Sequence, residues 1–355
     1  MLNRECGVYQ TTYEGDMALY PLPLARYSAL GVLILLVLLP LALDSHLMAL
    51  VNLITLASIG AIGLNLLVGY TGQVSLGHGA FMMVGSYTAA VLAVKYGLPF
   101  WVGVPAGGIV AAVVGAFFGI PSLRIKGLYL AIATLAAQFI IEWSINHSTW
   151  ISGGVQSTIY VPTPTVLGWQ INTEYRRYFM ILPVGVAAYV AALNLVRTRV
   201  GRAFIAIRDR DVAAEIIGVD IFRFKLLAFA VSAFYAGVAG ALWTAYLKIA
   251  NYEHFTLATS VSYLAMIIIG GLGSVLGSVF GAVFITLLPI VLVYLVEGGA
   301  ALLGFKYAAI ADFLANLRLI TFGGLIILFL AIEPEGLFRM WGNVKRYFRL
   351  WPYSY

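Results

Sequence analysis

Long runs of apolar residues, separated by short polar or charged segments, fill most of the sequence. Ten of these runs approach the length of about 20 residues that an α-helix needs to cross a bilayer. They fall near residues 27–43, 48–69, 74–94, 99–119, 127–145, 177–196, 226–247, 256–272, 275–296 and 313–332. The pattern predicts an all-α, polytopic membrane protein with about ten transmembrane helices. The second and third of these could instead be broken or re-entrant.

The composition supports a membrane protein and excludes several chemistries. Of the 355 residues, 62% are hydrophobic and 10% are charged, whereas soluble domains have about 45–50% apolar and 25% charged residues. The single cysteine, Cys6, excludes an internal disulfide and a cysteine-based metal site. The four histidines show no ligand spacing. We therefore expect no metal site and no cofactor in this chain.

The distribution of positive charge predicts the orientation, because cytoplasmic loops carry an excess of Lys and Arg. With the charged segment 197–225 inside, fifteen Lys and Arg residues lie in inside segments, five lie in outside segments and Arg318 lies in the last span. Both termini are then cytoplasmic. We divide the chain into an N-terminal tail at 1–26 with no cleaved signal peptide, a transmembrane domain at 27–332 and a C-terminal tail at 333–355.

The segment 197–225 is the longest charged stretch between two apolar runs, with seven of the 21 Lys and Arg residues and four of the 15 Asp and Glu residues. Its centre is typical of a short helix. Asp209 or Asp211 can cap the N-terminus of that helix, and Gly218 can end it in the left-handed conformation. The segment is either a rigid element that a partner holds or an ordinary solvated loop.

A Gly-rich stretch at 69–80 lies between the second and third spans and includes Gln73, Ser75 and His78. Its glycines free backbone groups, which a membrane protein tolerates only against protein or a cavity. His78 either lines such a cavity or donates a structural hydrogen bond.

Two polar stripes occur inside later spans, at the helical spacing that places residues on one face. They consist of Thr134, Gln138 and Glu142 in the fifth span, and of Thr256, Thr259, Ser260 and Tyr263 in the eighth. Each stripe suits the wall of a transport pathway, and each also suits hydrogen bonding between helices or to the preceding turn. A further polar group, Asp312, Asn316 and Arg318, opens the last span and favours a structural role.

Small residues four apart occupy one face of the fourth and ninth spans, a pattern that indicates close helix packing. They are Gly107, Ala111, Gly115 and Gly119 in one helix and Gly273, Gly277 and Gly281 in the other. The sequence has no Gly-x-x-x-x-Gly-Lys-[Ser/Thr] phosphate loop, so this chain is not itself expected to hold ATP. It also lacks paired intramembrane charges, which weakens an ion-coupled mechanism.

Four segments together resemble the permease subunits of ATP-binding-cassette (ABC) importers for branched-chain amino acids, of the leucine/isoleucine/valine type. The resemblance extends from about residue 48 to 338. The segments are 63–81 (GLNLLVGYTGQVSLGHGAF), 124–135 (RIKGLYLAIATL), 201–242 and the tail at 333–338 (EPEGLF).

The resemblance implies a transport subunit rather than an enzyme, with ATP-Mg bound and hydrolysed by two separate ATPase subunits. It implies alternating access in the inner membrane, a second permease subunit and an extracytoplasmic solute-binding protein. The cytoplasmic segment would dock onto the ATPase through positions that match the coupling motif: Asp209, Asp211, Ala213, Ala214, Glu215 and Gly218. We expect candidate pathway residues at Gln73, Ser75, His78, Thr134, Gln138, Thr259 and Tyr263.

Three alternatives remain open from the sequence. A permease of the same family could carry urea, short amides or aromatic acids. A stand-alone ion-coupled transporter would need titratable groups near the midplane, and a membrane-embedded enzyme would need paired His or carboxylate groups at one depth.

Overall fold

The structure is a computed structural model that describes residues 12, 23–122, 127–152, 158–166, 169–303 and 336–350, and five isolated positions between the last two ranges. Most of the predicted tenth span, the group Asp312, Asn316 and Arg318, most of the predicted N-terminal tail and both ends of the predicted C-terminal tail lie outside the described residues. The described chain is almost entirely helical, as the apolar pattern predicts.

The helices in chain order are α1 (Pro23–Ala42), α2 (Ser45–Thr71), α3 (His78–Lys95), α4 (Phe100–Ser122), α5 (Leu128–His147), α6 (Thr149–Ser152), α7 (Glu174–Arg197), α8 (Arg199–Asp209), α9 (Asp211–Ile216), α10 (Ile221–Leu247), α11 (Leu257–Gly270), α12 (Val275–Leu303) and α13 (Gly336–Leu350). The described strands are two residues long: β1 (Ile159–Tyr160), β2 (Thr165–Val166), β3 (Trp169–Gln170) and β4 (Ile249–Ala250). β1 pairs antiparallel with β4, and β2 pairs antiparallel with β3. The first pair ties the segment after α6 to the end of α10.

Six described helical segments are long and apolar enough to cross a membrane. They are Ser45–Thr71, Phe100–Ile120, Glu174–Arg197, Ile221–Leu247, Tyr252–Gly270 and Val275–Tyr294. The prediction of an all-α, multi-pass membrane protein is therefore confirmed. Helices also cover the predicted first, third and fifth spans, as α1, α3 and α5, but these do not meet the same criteria of length and hydropathy. The count of about ten spans and the orientation stay predictions.

The chain forms two compact units, residues Met1–Met48 and Ala49–Tyr355. The first unit contains α1 and the opening turn of α2, where the backbone N–H of Met48 bonds the carbonyl of Asp44 at 2.9 Å. The second unit contains the other helices and a continuous apolar core. The site described below lies within the second unit.

The centre of the second unit is a close crossing of α3, α4 and α10, in which small residues replace bulky side chains. A methyl group added at Gly107 of α4 would lie 2.8 Å from the carbonyl oxygen of Gly85 in α3. One added at Gly237 of α10 would lie 2.6 Å from the carbonyl oxygen of Gly107. The backbones thus touch directly, as the small-residue pattern in α4 predicts.

The second small-residue pattern is confirmed in α12, with one exception. An added methyl group at Gly277 would lie 2.8 Å from the carbonyl oxygen of Gly270, at the end of α11. Gly281 likewise lies against the backbone of Met266. Gly273 lies before α12, in the turn that joins it to α11, and has a left-handed φ of 75°. Gly273 therefore belongs to the turn and is not part of the packed face of α12.

We predict that Gly107→Ala lowers the thermal stability of the detergent-solubilised chain, because the new methyl group overpacks a backbone crossing at a typical cost of about 1–3 kcal/mol. Gly103→Ala, one turn earlier in α4, is the matched control. Its methyl group would meet Ala89 at 3.5 Å, an ordinary contact, so this variant should be neutral or slightly stabilising. Size-exclusion chromatography after heating measures how much folded protein remains in each variant. Equal losses in the two variants would contradict a close backbone crossing at Gly107.

Candidate functional site

The Gly-rich stretch forms a break between two helices. α2 ends at Thr71, and Gly72 takes a left-handed φ of 70° that turns the chain away from the helix. α3 does not begin until His78. Along residues 73–77 the buried positions are Gln73, Ser75 and Gly77. The sequence left open whether the second and third spans are broken or re-entrant; α2 and α3 are each continuous, and the non-helical residues lie between them.

Side-chain oxygens complete the backbone hydrogen bonds of this break. The N–H groups of Gly79 and Ala80 donate to Ser260 Oγ at 2.8 Å and Gln138 Oε1 at 2.7 Å. The N–H of Leu76 donates to Thr134 Oγ1 at 2.9 Å. The first N–H groups of a helix have no partner within the helix. At α3, residues of α5 and α11 supply those partners.

Gln138 is the central member of this network. Its Nε2 donates to the carbonyl of Phe255 at 2.8 Å, and its Oε1 accepts a second bond from Ser260 Oγ at 3.3 Å. Gln138 is 0% exposed and Thr134 3%. The interhelical hydrogen bonding considered for this polar stripe is therefore present. A role of Thr134 and Gln138 in the pathway stays a prediction.

The other predicted pathway residues divide into two groups. Ser75 Oγ accepts from the N–H of Gly77 at 3.3 Å, and Thr259 Oγ1 donates to the carbonyl of His254 at 2.9 Å. Gln73 Nε2 donates to Thr71 Oγ1 at 2.9 Å, whereas its buried Oε1 has no hydrogen-bond partner among the described residues. All three bonds are local ones, within five residues along the chain.

His78 and Tyr263 form a buried aromatic pair beside α2. Their ring centroids are 5.2 Å apart, and the side chain of His78 is 1% exposed. Tyr263 fills the space next to Gly60, where an added methyl group would lie 2.6 Å from its ring. His78 Nε2 makes no hydrogen bond to any residue that the structure describes. A buried polar atom of this kind usually has a partner, which makes the pair a candidate contact for a solute.

Asn65 holds the other side of the break, although the sequence analysis did not select it. Its Nδ2 donates to the carbonyl of Ser274 at 2.8 Å and to Ser278 Oγ at 2.7 Å. Its Oδ1 accepts from the N–H of Gly273 at 2.9 Å. One amide side chain thus ties α2 to the turn between α11 and α12. An Asn inside an apolar run was the available signal.

Arg208, also missed as a site residue, links the charged loop to the break. Its Nη1 donates to the carbonyl of Gly69, near the end of α2, at 2.9 Å. The same nitrogen lies 2.9 Å from the place a methyl group would take on Gly273. Asp209 Oδ1 accepts from Arg208 Nη2 at 3.2 Å and orients the guanidinium. Arg208 therefore contacts both chain segments that Asn65 joins.

The charged loop contains two helices, α8 and α9, separated at Arg210, whose φ of −158° is extended. Gly218 ends the second helix with a φ of 90°, as predicted. Its N–H bonds the carbonyl of Glu215 at 3.0 Å, and the N–H of Val219 bonds that of Ala214 at 2.9 Å. This pattern is typical of a helix that ends on a left-handed glycine. The predicted short helix is confirmed.

The prediction that Asp209 could cap this helix is wrong. α8 continues through Asp209, which is its last residue and pairs with Arg208, and Arg210 occupies the N-cap position of α9. Asp211 is the first residue of α9, and its Oδ1 accepts from the N–H of Val212 at 2.9 Å. Ala203, Phe204 and Ile207 are buried on one face of α8, so the helical periodicity that extends the loop helix was readable in the sequence.

The exposed surface of α9 is apolar as well as charged. Ile216 and Ile217 are 81% and 75% exposed, and Val212 is 62% exposed. Ala213 and Glu215 are also exposed, whereas Ala214 is buried against the protein. Isolated exposed apolar residues are common, but this group lies on a loop rather than on a membrane span. It suits a protein contact.

A cavity of about 240 Å³ lies between the loop and the break. Thr71, Gly72 and Gln73 line one side, and Arg208, Asp211 and Lys225 line the other. Lys225 Nζ lies 3.8 Å from the carboxylate of Asp211. The cavity separates part of the loop from the end of α2.

A second polar cluster joins three spans away from the break. Glu174 Oε2 accepts from Asn52 Nδ2 at 3.1 Å and from the hydroxyl of Tyr246 at 3.0 Å. Its Oε1 pairs with Arg177 Nη1 at 2.6 Å. The cluster connects α2, α7 and α10, and the sequence analysis did not select it. Within the described residues, no group of His, Cys, Asp and Glu could hold a metal ion.

These features define a multi-pass membrane protein whose buried helix break is joined to an exposed, helical loop. The model of one protein family, "Branched-chain amino acid transport system / permease component", matches residues 46–330. The chain therefore belongs to the branched-chain amino acid transport permease family.

Individual relatives agree with the family match. The high-affinity branched-chain amino acid transport system permease protein LivM of Salmonella typhimurium is 32% identical over 302 residues, which cover 79% of this chain and 67% of the relative. LivM of Escherichia coli has the same identity and coverage. The autoinducer 2 import system permease protein LsrC of an Enterobacter species is 26% identical over 52% of this chain and 53% of its own. No solved structure matches the chain significantly.

We predict that Gln138→Leu destabilises the chain in detergent, because the carbonyl of Phe255 loses its side-chain partner and the N–H of Ala80 keeps only its longer bond to the carbonyl of Gly77. Each buried group left unpaired costs about 1–3 kcal/mol. Ser262→Ala is the control, because that exposed hydroxyl only bonds the carbonyl of Ala258 in the preceding turn. Thermal unfolding measures both variants, and an unchanged melting temperature for Gln138→Leu would exclude the network as a structural element.

Proposed function

We propose that this chain is a permease subunit of an ATP-driven ABC importer that moves branched-chain amino acids inward across a bacterial inner membrane. The family match over residues 46–330 carries the proposal, because it spans all six candidate membrane helices. The names of the relatives at 32% identity favour branched-chain amino acids over urea, short amides or aromatic acids. An ion-coupled transporter or a membrane enzyme finds no support among these relatives.

The partners of the chain follow from the same proposal. ATP-Mg binds to two ATPase subunits, and a second permease and an extracytoplasmic solute-binding protein complete the importer. α9 docks on an ATPase through its exposed apolar residues, with Asp209, Asp211, Ala213, Ala214, Glu215 and Gly218 as the coupling segment. This assignment places the loop and both termini in the cytoplasm, in agreement with the excess of positive charge in those segments.

The contacts of Arg208 support a route for the coupling. A push on α9 moves α8 through the short extended link at Arg210. Arg208 then transmits this movement to the end of α2, because its guanidinium donates to the carbonyl of Gly69 at 2.9 Å. Asn65 transmits the movement from α2 to the turn at Gly273. Coupling free energy between two sites has to pass through interactions that differ between the two states of the transporter. The contacts of Arg208 with Gly69 and of Asn65 with Gly273 form a continuous series of such interactions in this proposal.

The solute pathway follows the helix break in this proposal. Gln73, Ser75, His78, Thr134, Gln138, Thr259 and Tyr263 surround it or lie beside it. Side-chain oxygens that now bond the backbone of α3 can be exchanged for those of a solute carboxylate when the helices separate. Discontinuous helices with a polar end near the midplane serve this purpose in other transporters. His78 and Tyr263 supply an adjoining surface that suits an aliphatic side chain.

The test of this function is ATP hydrolysis by the importer purified from its native membrane through a tag on this chain. We expect an ATPase and a second permease to co-purify, and leucine with the solute-binding protein to raise the hydrolysis rate. An ATPase that ignores leucine but responds to another solute would leave the importer in place and change its substrate. A chain that purifies alone and transports leucine would contradict the proposal.

We predict that Ile216→Asp prevents the ATPase from co-purifying, because a charge replaces an apolar side chain that is 81% exposed in the isolated chain and becomes buried in the complex. Tyr160→Asp is the control, since Tyr160 is 74% exposed on β1, away from the loop. Membrane insertion of both variants should match the unaltered chain. Retention of the ATPase by Ile216→Asp would place the docking surface elsewhere.

We predict that Arg208→Gln separates docking from transmission. The ATPase should still co-purify, while leucine-stimulated hydrolysis and uptake fall by about tenfold or more, in the range of coupling energies of 1–3 kcal/mol. Arg210→Gln is the matched control, because this exposed neighbour carries the same charge change on the same loop. Equal losses in the two variants would show that only loop charge matters.

A further inference from the structure

The last described helix, α13, combines an apolar face with a strongly basic one. It has four basic residues and no acidic residue. Five apolar positions recur three and four apart, which places them on one face, whereas Phe338 falls on the basic side. These positions are 337, 340, 341, 344 and 348, and the basic positions 339, 345, 346 and 349 fall on the opposite side of the helical repeat.

The start of α13 is fixed at the end of a membrane span. Gly336 is buried, and a methyl group added to it would lie 2.6 Å from the backbone nitrogen of Gly271 and 2.7 Å from the carbonyl oxygen of Ile269. The candidate span Tyr252–Gly270 ends there. α13 has 15 residues and is therefore about 22 Å long, too short and too charged to cross a bilayer.

The helix then stays against the ends of two spans. The ring of Trp341 contacts that of Phe280 at a centroid distance of 6.4 Å, and Leu337 packs against the core. Phe280 lies about 8 Å along α12 from its first residue, Val275. Five residues after its start, α13 therefore still contacts a span at a shallow depth. Such a path follows the boundary between membrane and water.

The rest of the apolar face is not covered by the chain. Met340 and Val344 are 43% and 46% exposed, and Trp341 remains 57% exposed despite its contact with Phe280. Around a protein that spans a bilayer, apolar side chains beside the end of a span meet lipid. Trp at this depth is typical of the headgroup region.

We propose that α13 is an interfacial helix that binds anionic phospholipid, with its apolar face at the boundary of headgroups and acyl chains and its basic face against lipid phosphates. A basic helix of high amphipathicity, with Trp and Phe on its apolar side, binds membranes in this way. The uniform positive charge of the helix selects the anionic lipid. The proposal goes beyond transport and needs only that the chain spans a membrane.

Spin labels on the full-length chain test the depth of α13. In a Cys6→Ser background, Val344→Cys reports the apolar face and Asn343→Cys, its neighbour on the polar side, is the matched control. Both are placed in nanodiscs of phosphatidylcholine, alone or mixed with phosphatidylglycerol. Collisions with oxygen report contact with lipid, and collisions with a nickel chelate report contact with water.

We expect the label at 344 to collide with oxygen and to be shielded from nickel, the label at 343 to behave oppositely, and the difference to increase several-fold with phosphatidylglycerol. Lys345→Glu with Arg346→Glu should abolish that increase while size-exclusion profiles stay unchanged. Equal nickel access at both positions, or a depth that ignores phosphatidylglycerol, would overturn the proposal. Shielding of position 344 that requires the ATPase subunit would instead assign the face to a protein partner and equally overturn it.

Discussion

The chain between α2 and α3 leaves the helical conformation inside the protein, so the N–H group of Leu76 and the first N–H groups of α3 need partners from elsewhere in the chain. In a bilayer an unpaired backbone group costs several kcal/mol. Thr134, Gln138 and Ser260 provide these partners. The positions of α3, α5 and α11 therefore depend on one another, and none of them can shift without exchanging hydrogen bonds.

The same requirement joins the loop to the membrane part. The last carbonyls of a helix also lack partners within the helix, and at α2 the guanidinium of Arg208 supplies one of them at Gly69. A charged side chain of the loop thus supplies a hydrogen bond that the end of α2 cannot make within the helix. This direct contact is the basis of the proposed coupling between the loop and the break.

The sequence predicted what depends on local periodicity. The apolar runs gave the helices, the spacing of Thr134 and Gln138 placed them on one face, and Gly218 marked the end of α9. It did not predict contacts between distant segments, such as Asn65 with the turn at Gly273, because nothing local indicates which carbonyl an amide will meet. Asp209 was misplaced for a related reason: the charges of α8 suggested a loop, while its buried face follows the helical repeat.

The close crossing of α3, α4 and α10 constrains how the protein can move. Side chains that interdigitate can repack, but a glycine backbone pressed against a carbonyl at Gly107 or Gly237 has no alternative rotamer to adopt. The three helices therefore form a single stiff body, and a displacement of any one of them carries the other two with it.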